Sequence, residues 1–190
     1  MATISLSLDE IYKLANKTLL ANGCDQETAD ILSELITNAE RDGSLSHGLF
    51  RLPAYVSGLK SGKINGKQKP NIKKLTPSVI KADGKNCLAP VVLNKSIPEL
   101  VKAAKENGVA VLAIINSHHM AAMWPETEKI AEEGLVAFAC TSYKPAVAPA
   151  GAIKPLFGTN PISFAWPRKN NTPVVYDLSL IHISEPTRQP

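Results

Sequence analysis

An α/β protein with a helical N-terminal region is the fold class this 190-residue chain predicts, and three observations predict it. Residues 1–63 carry apolar side chains at helical spacing between capping signals. Residues 64–78 are polar, contain Gly66, Pro70 and Pro77, and read as a connector. From 79 to 177 helical and strand-like patterns alternate, the signature of an α/β domain.

Ser7-Leu8-Asp9-Glu10 is a capping box, because hydroxyl and carboxylate can each satisfy a free backbone donor. Ile11, Leu14, Ala15 and Leu19 follow at helical spacing, and Gly23 ends the helix. Asp25 caps a second helix bearing Ala29, Leu32, Leu35, Ile36 and Ala39, closed by Gly43. The segment around His47 opens a third, running toward Gly62. Beyond the connector, Ser96 caps a helix to Asn107, with Pro98 and Glu99 in its first turn and Gly108 as the stop. Val109 to Ile115, uninterrupted by polar residues, reads as a buried strand. A helix over Pro125 to Glu133, a strand over Leu135 to Thr141, an Ala/Gly/Pro-rich loop from Tyr143 to Pro161, and strands Ile162 to Trp166 and Pro173 to Asp177 complete the order. From Leu178 the chain resembles the translation of a transposon-end sequencing adapter. Residues 178–190 are therefore expected to be a non-native tail, and the chain to stop partway through an open reading frame.

The 21 Lys and Arg exceed the 17 Asp and Glu only mildly. Lys60, Lys63, Lys67, Lys69, Lys73 and Lys74 form a basic stretch with few aromatics to stack on bases, so a solvated loop is expected and a nucleic-acid partner is not. Cys24, Cys87 and Cys140 are odd in number and widely spaced, which points to neither disulfide framework nor zinc site and to a reducing compartment. No metal is expected. No basic and apolar leader opens the chain, and its longest apolar run is far too short for a bilayer. A cytoplasmic protein without a membrane partner is the expectation.

Ser46-His47-Gly48-Leu49-Phe50-Arg51-Leu52-Pro53 carries the most chemistry. In a helix, His47 and Arg51 share one face. Two readings are open: a solvated basic face, or a proton donor beside a carboxylate clamp. Ser46 would cap the helix or orient the imidazole of His47. A Ser/His hydrolase is the weaker alternative, since sequence neighbours do not face each other along a helix and no GxSxG elbow is present. Asn116 to Pro125 begins where a strand ends, the place where ligands collect in α/β folds. There Ala121 and Ala122 allow close approach to the backbone, and free N–H groups at the next helix start could hold a phosphate. Alternatively, one of His118 and His119 caps that helix and the other packs on Trp124. Phe157-Gly158-Thr159-Asn160-Pro161 either offers donors to a carboxylate or forms an Asx-type turn before a strand.

Three runs together carry a resemblance: Arg41 to Ser44 through Ser46-His47-Gly48 to Arg51-Leu52-Pro53, then Asn116 to Pro125, then Val147 to Gly151 through Phe157 to Pro161. In that order they resemble the type-2 malate/L-lactate dehydrogenases, whose NAD(P)-binding fold is their own and not a Rossmann fold. Within that family, the match is best to the Δ1-piperideine-2-carboxylate/Δ1-pyrroline-2-carboxylate reductases. The resemblance implies that His47 is the proton donor, with Ser46 as its relay partner. Arg51 would grip the substrate carboxylate, and Thr159 would bind substrate. It implies that His119, Met120, Ala121, Ala122 and Met123 hold NADPH or NADH, and that Asp177 starts a further cofactor-binding run. It also implies a homodimer when full length, and a relay Asp beyond the resembling run with no counterpart here. The chain as written is thus expected to be catalytically dead or nearly so, an expectation refuted by NAD(P)H-dependent turnover near that of a full-length relative. Reduction of cyclic ketimine carboxylates to L-pipecolate or L-proline is the leading expectation. Oxidation of a 2-hydroxy acid (malate, lactate or ureidoglycolate) is the alternative within the family, and a non-catalytic binding module is the alternative outside it.

Overall fold

A computed structural model describes residues 4–119 and 121–178, which fall into two compact units, the first ending at Ala121 and the second starting at Ala122. The first unit holds α1 (Leu8–Ala21), α2 (Gln26–Arg41), two 3-10 turns (Leu45–His47 and Leu49–Arg51), α3 (Leu52–Lys60), β1 (Asn71–Thr76), β2 (Val79–Asp83), α4 (Ala89–Asn107) and β3 (Val111–Ile115). The second holds α5 (Trp124–Glu132), β4 (Ala137–Cys140), β5 (Ile162–Arg168) and β6 (Asn171–Leu178). Apart from Leu178, the end of β6, the expected non-native tail lies outside the described residues. Among the described residues, no helix is long and apolar enough to cross a membrane.

The capping chemistry forms as the residues dictate. Ser7 N–H donates to Glu10 Oε2 at 2.8 Å and Glu10 N–H to Ser7 Oγ at 3.3 Å. Asp25 Oδ1 accepts from Thr28 N–H at 2.9 Å. Ile11, Ala15 and Leu19 of α1 meet Ala29, Leu32 and Ile36 of α2, and α3 adds Leu52 and Tyr55. Removing each large side chain from water there contributes about 1.5–3 kcal/mol. This core fixes the base from which the His47 segment departs.

That segment is not the single α-helix expected. Gly43, at φ +74, ends α2, and Ser44 N–H returns to Ala39 O at 2.8 Å. The two 3-10 turns then meet at Gly48, whose φ of −85° and ψ of −138° break the helix between His47 and Arg51. The break has a specific cause. Glu40 Oε1, from the last turn of α2, reaches in to accept from Leu49 N–H at 2.7 Å, and a Cβ on Gly48 would lie 2.1 Å from that oxygen. Gly48→Ala is expected to push Glu40 aside and orphan the Leu49 donor, at a cost of about 1–3 kcal/mol. Thermal melts check this: the same change in a Glu40→Ala background should cost little more.

Six of the fifteen residues of the expected connector form a strand. β1 pairs antiparallel with β2, and β2 pairs parallel with β3 through the α4 crossover, in the order β1-β2-β3. Five of the six residues of β1 are exposed, so no alternation of apolar residues announces it. α4 starts seven residues before the expected Ser96 and runs through Pro98. Its first turns are buried among Ala89, Val91 and Val92, and Ser96 Oγ turns back to Val92 O at 2.8 Å instead of capping. Packing of this apolar run outweighs the hydrogen bond that Pro98 cannot make. β3 is an edge strand covered on one face, and Val111 is 56% exposed, against the expectation of a fully buried strand.

In the second unit, β4-β5-β6 is wholly antiparallel. Ala137 and Ala165 pack with Ala131 of α5, and Thr127 Oγ1 lies 2.7 Å from Ser163 Oγ. Phe138, Trp166 and Tyr176 are exposed.

Candidate functional site

Within the first unit, the two 3-10 turns bring a histidine and two hydroxyls together. His47 Nδ1 lies 3.0 Å from Ser46 Oγ and 3.2 Å from Ser44 Oγ. His47 N–H also donates to Ser44 O at 2.8 Å, so the turn that seats the backbone also brings the second hydroxyl to the ring. Ser46 is thus a hydrogen-bond partner of His47, as one of its two sequence readings required, and it caps no helix. Ser44 was not singled out as a site residue. Its i, i+3 spacing from His47 is the signal, legible only once the turn is known to be 3-10.

Arg51 ends the second turn, as N-cap of α3, with Pro53 two positions on. Its guanidinium lies 5.8 Å over the Phe50 ring, and its Nε is buried with no hydrogen-bond partner among the described residues. A buried N–H donor left unmade costs about 1–3 kcal/mol, so an acceptor from a ligand would be gained at once. Tyr55, one turn further along α3 and 2% exposed, places its hydroxyl 3.1 Å from His119 Nδ1. The two rings meet edge to face with centroids 5.5 Å apart. Burial pushes the Tyr55 phenol up to about 12.

His119 sits in the turn after β3, where Asn116, His119 and Ala121 all have positive φ (50°, 47° and 58°). Left-handed backbone costs a residue with a Cβ roughly 1–2 kcal/mol, and such strain gathers at functional sites. The turn is pinned by His118, whose N–H donates to Cys87 O at 2.9 Å and whose carbonyl accepts from Ala89 N–H at 2.8 Å. Burial first, then repulsion from Arg51 and His47, lowers His119 from 6.5 to about 4, so its ring is neutral near pH 7. Within its own unit, His119 packs on Tyr55. Met120, the next residue of the expected cofactor turn, lies outside the described residues.

The second unit holds the remaining expected site residues. Ala122 and Met123 are buried and lead into α5. Asp177 Oδ2 accepts from Met123 N–H at 2.9 Å and Trp124 N–H at 3.0 Å. The start of α5 therefore does not offer those two N–H groups to a phosphate, because a carboxylate from β6 already takes them. Thr159 is half-buried beside Gly158, where a Cβ would meet Tyr143 O at 2.1 Å. Asn160, at φ +37, accepts from Tyr143 N–H through Oδ1 at 3.1 Å, so this turn is held by its amide.

Glu126, in the first turn of α5, is 9% exposed, and burial, with Asp177 nearby, pushes its carboxyl from 4.5 up to about 7. Between those values the folded chain holds a proton that the unfolded chain has lost, so stability falls as pH rises, by roughly 3 kcal/mol in all. His119 acts oppositely: between about 4 and 6.5 the unfolded chain binds the extra proton, and stability is lost as pH falls. The two slopes offset each other below pH 6.5. Glu126→Gln is expected to raise the melting temperature at pH 8 and to uncover the rising histidine limb between about pH 4 and 6.5 in a melt-versus-pH series.

Residues 6–185 match the family described as malate/L-lactate dehydrogenase. A Δ1-pyrroline-2-carboxylate/Δ1-piperideine-2-carboxylate reductase from Pseudomonas syringae pv. tomato is 41% identical over 177 residues, 93% of this chain and 52% of that protein. The crystal structure of Δ1-piperideine-2-carboxylate reductase from the same organism superposes with a TM-score of 0.86, covering 93% of this chain and 53% of that one. A (2R)-3-sulfolactate dehydrogenase (NADP(+)) from Chromohalobacter salexigens is 38% identical over 94% of this chain and 54% of its own. The chain spans about half the length of the curated relatives it matches.

Proposed function

Because the chain belongs to the malate/L-lactate dehydrogenase family, we propose that it serves a nicotinamide-dependent reductase that converts Δ1-pyrroline-2-carboxylate to L-proline and Δ1-piperideine-2-carboxylate to L-pipecolate. The observation that carries this reading is the grouping, in one unit, of a serine-held imidazole, a buried guanidinium N–H without a partner among the described residues and a second, neutral histidine. Sequence similarity to a reductase of that name supports the substrate class.

Arg51 binds the substrate carboxylate, since a guanidinium can offer two parallel donors to its two oxygens and so present one face of the ring. His47 supplies a proton to the imine nitrogen, which makes the neighbouring carbon electrophilic. Ser46 and Ser44 hold its Nδ1, which keeps the ring in place while the proton leaves. Thr159 contributes a second contact to substrate. His119, Met120, Ala121, Ala122 and Met123 hold the cofactor, and Asp177 steadies the end of that run through its bonds to Met123 and Trp124. The residues fit a nicotinamide nucleotide to this extent: the neutral imidazole of His119 would offer a hydrogen-bonding group and Ala121 a small side chain. When bound, that cofactor supplies the hydride.

We assign NADPH over NADH on similarity to the NADP(+)-named sulfolactate dehydrogenase. A cytoplasmic setting is supported by three unpaired cysteines. The homodimer rests on the family resemblance alone.

The test uses this chain extended with the part of the P. syringae reductase that it does not cover. Nicotinamide absorbance is followed with each cyclic imine acid, with pyruvate and oxaloacetate, and with either cofactor. Turnover of the imines at least tenfold above that of the 2-oxo acids is expected, and the reverse preference would install the 2-hydroxy acid dehydrogenase reading instead.

A further inference from the structure

We propose that Tyr55 is a positioning residue: its hydroxyl donates to His119 Nδ1, fixes the imidazole as the Nε2–H tautomer, and makes that N–H a donor to an acceptor oxygen of the ligand bound beside Arg51. Its last step rests on the function proposed above; the tautomer does not.

Three independent features carry it. The first is the hydrogen bond. A phenol buried to 2% exposure must place its proton on an acceptor, and Nδ1 at 3.1 Å is its partner. An Nδ1 that accepts carries no proton, so a neutral ring must carry it on Nε2. The second is the surroundings. Arg51 and His47 both oppose a charge on His119, and burial opposes it more, which keeps the ring in the one-proton state where the tautomer matters. The third is the backbone. His119 is held at φ +47 between two other left-handed residues, and the edge-to-face contact with Tyr55 helps to offset that strain. Tyr55 follows Arg51 by four residues into α3, so the helix that places the guanidinium also sets the tautomer of the second histidine.

Two oxygens could take the Nε2 proton, the carboxylate of an imino acid or the carboxamide of a nicotinamide, and both are hydrogen-bond acceptors of the same kind. Ring ¹⁵N shifts of the histidine-labelled chain, without ligand, read the tautomer directly. The expected result is a protonated Nε2 and a bare Nδ1 on His119 through neutral pH, and a mixed tautomer in Tyr55→Phe. A protonated Nδ1 in the native chain, or an unchanged tautomer in Tyr55→Phe with a native-like amide spectrum, overturns the proposal. Adding pyrrole-2-carboxylate or NADPH separately to the extended chain then identifies the acceptor by which one moves the Nε2 signal. In that chain, Tyr55→Phe is expected to raise KM for the responding ligand about tenfold with kcat nearly unchanged. In a His119→Gln background, whose amide keeps a donor near the Nε2 position, Tyr55→Phe should change KM by less than twofold. A further tenfold loss there would show that Tyr55 does not act through His119. If neither probe binds the native extended chain, the proposed function fails while the tautomer measurement stands on its own.

Discussion

His47→Ala in the extended chain is expected to lower kcat for cyclic imine reduction by about 10²–10⁴-fold, with KM changed little. The alanine removes the group that delivers the proton, and the carboxylate contact at Arg51 is untouched. Ser44 and Ser46 both reach Nδ1, so each single serine-to-alanine change should cost less than the pair together. Steady-state rates across pH separate the two roles: the histidine change flattens the limb that reports the donor, whereas the double serine change moves it. A loss in His47→Ala smaller than about fivefold would mean that the proton comes from another group or from water.

Arg51→Met is expected to raise KM for the imino acid by about 10²-fold or more, within the 2–5 kcal/mol typical of removing one partner from a buried charged pair. Arg51→Lys should recover little, because an ammonium cannot reproduce the planar two-point contact. The same substitution has a signature without ligand. Arg51 is the second cause, after burial, of the low proton affinity of His119. Arg51→Met should therefore move the His119 titration part of the way from about 4 back toward 6.5, with the contribution of burial remaining. Proton NMR of the imidazole reads this shift. A titration left in place would place Arg51 too far away to act on that ring.

How much of this was legible in the residues varies from element to element. Ser7 with Glu10, and Asp25 with Gly43, mark helix ends through local chemistry, and α1 and α2 begin and end as those signals require. α5 and the β5–β6 hairpin were equally readable, because their periodicity is local. β1 was not: an edge strand exposed at five of six positions has no apolar alternation to betray it, and only pairing with β2 makes it a strand. Ser96 as a cap, with Pro98 and Glu99 after it, argued for a late start to α4, yet burial of Val91, Val92 and Leu93 draws the helix back to Ala89.

The sequence by itself determined the family and the α/β class, because both rest on motifs whose spacing does not depend on distant parts of the chain. Only the tertiary structure decided how His47 and Arg51 are presented, since the break at Gly48 comes from Glu40 on a different helix. It alone joined Tyr55 to His119 across 64 positions, and Asp177 to the start of α5 across 54. Hydrogen bonds of that span leave no periodic trace in a chain, because they depend on where packing carries two distant backbones and not on the order of residues between them.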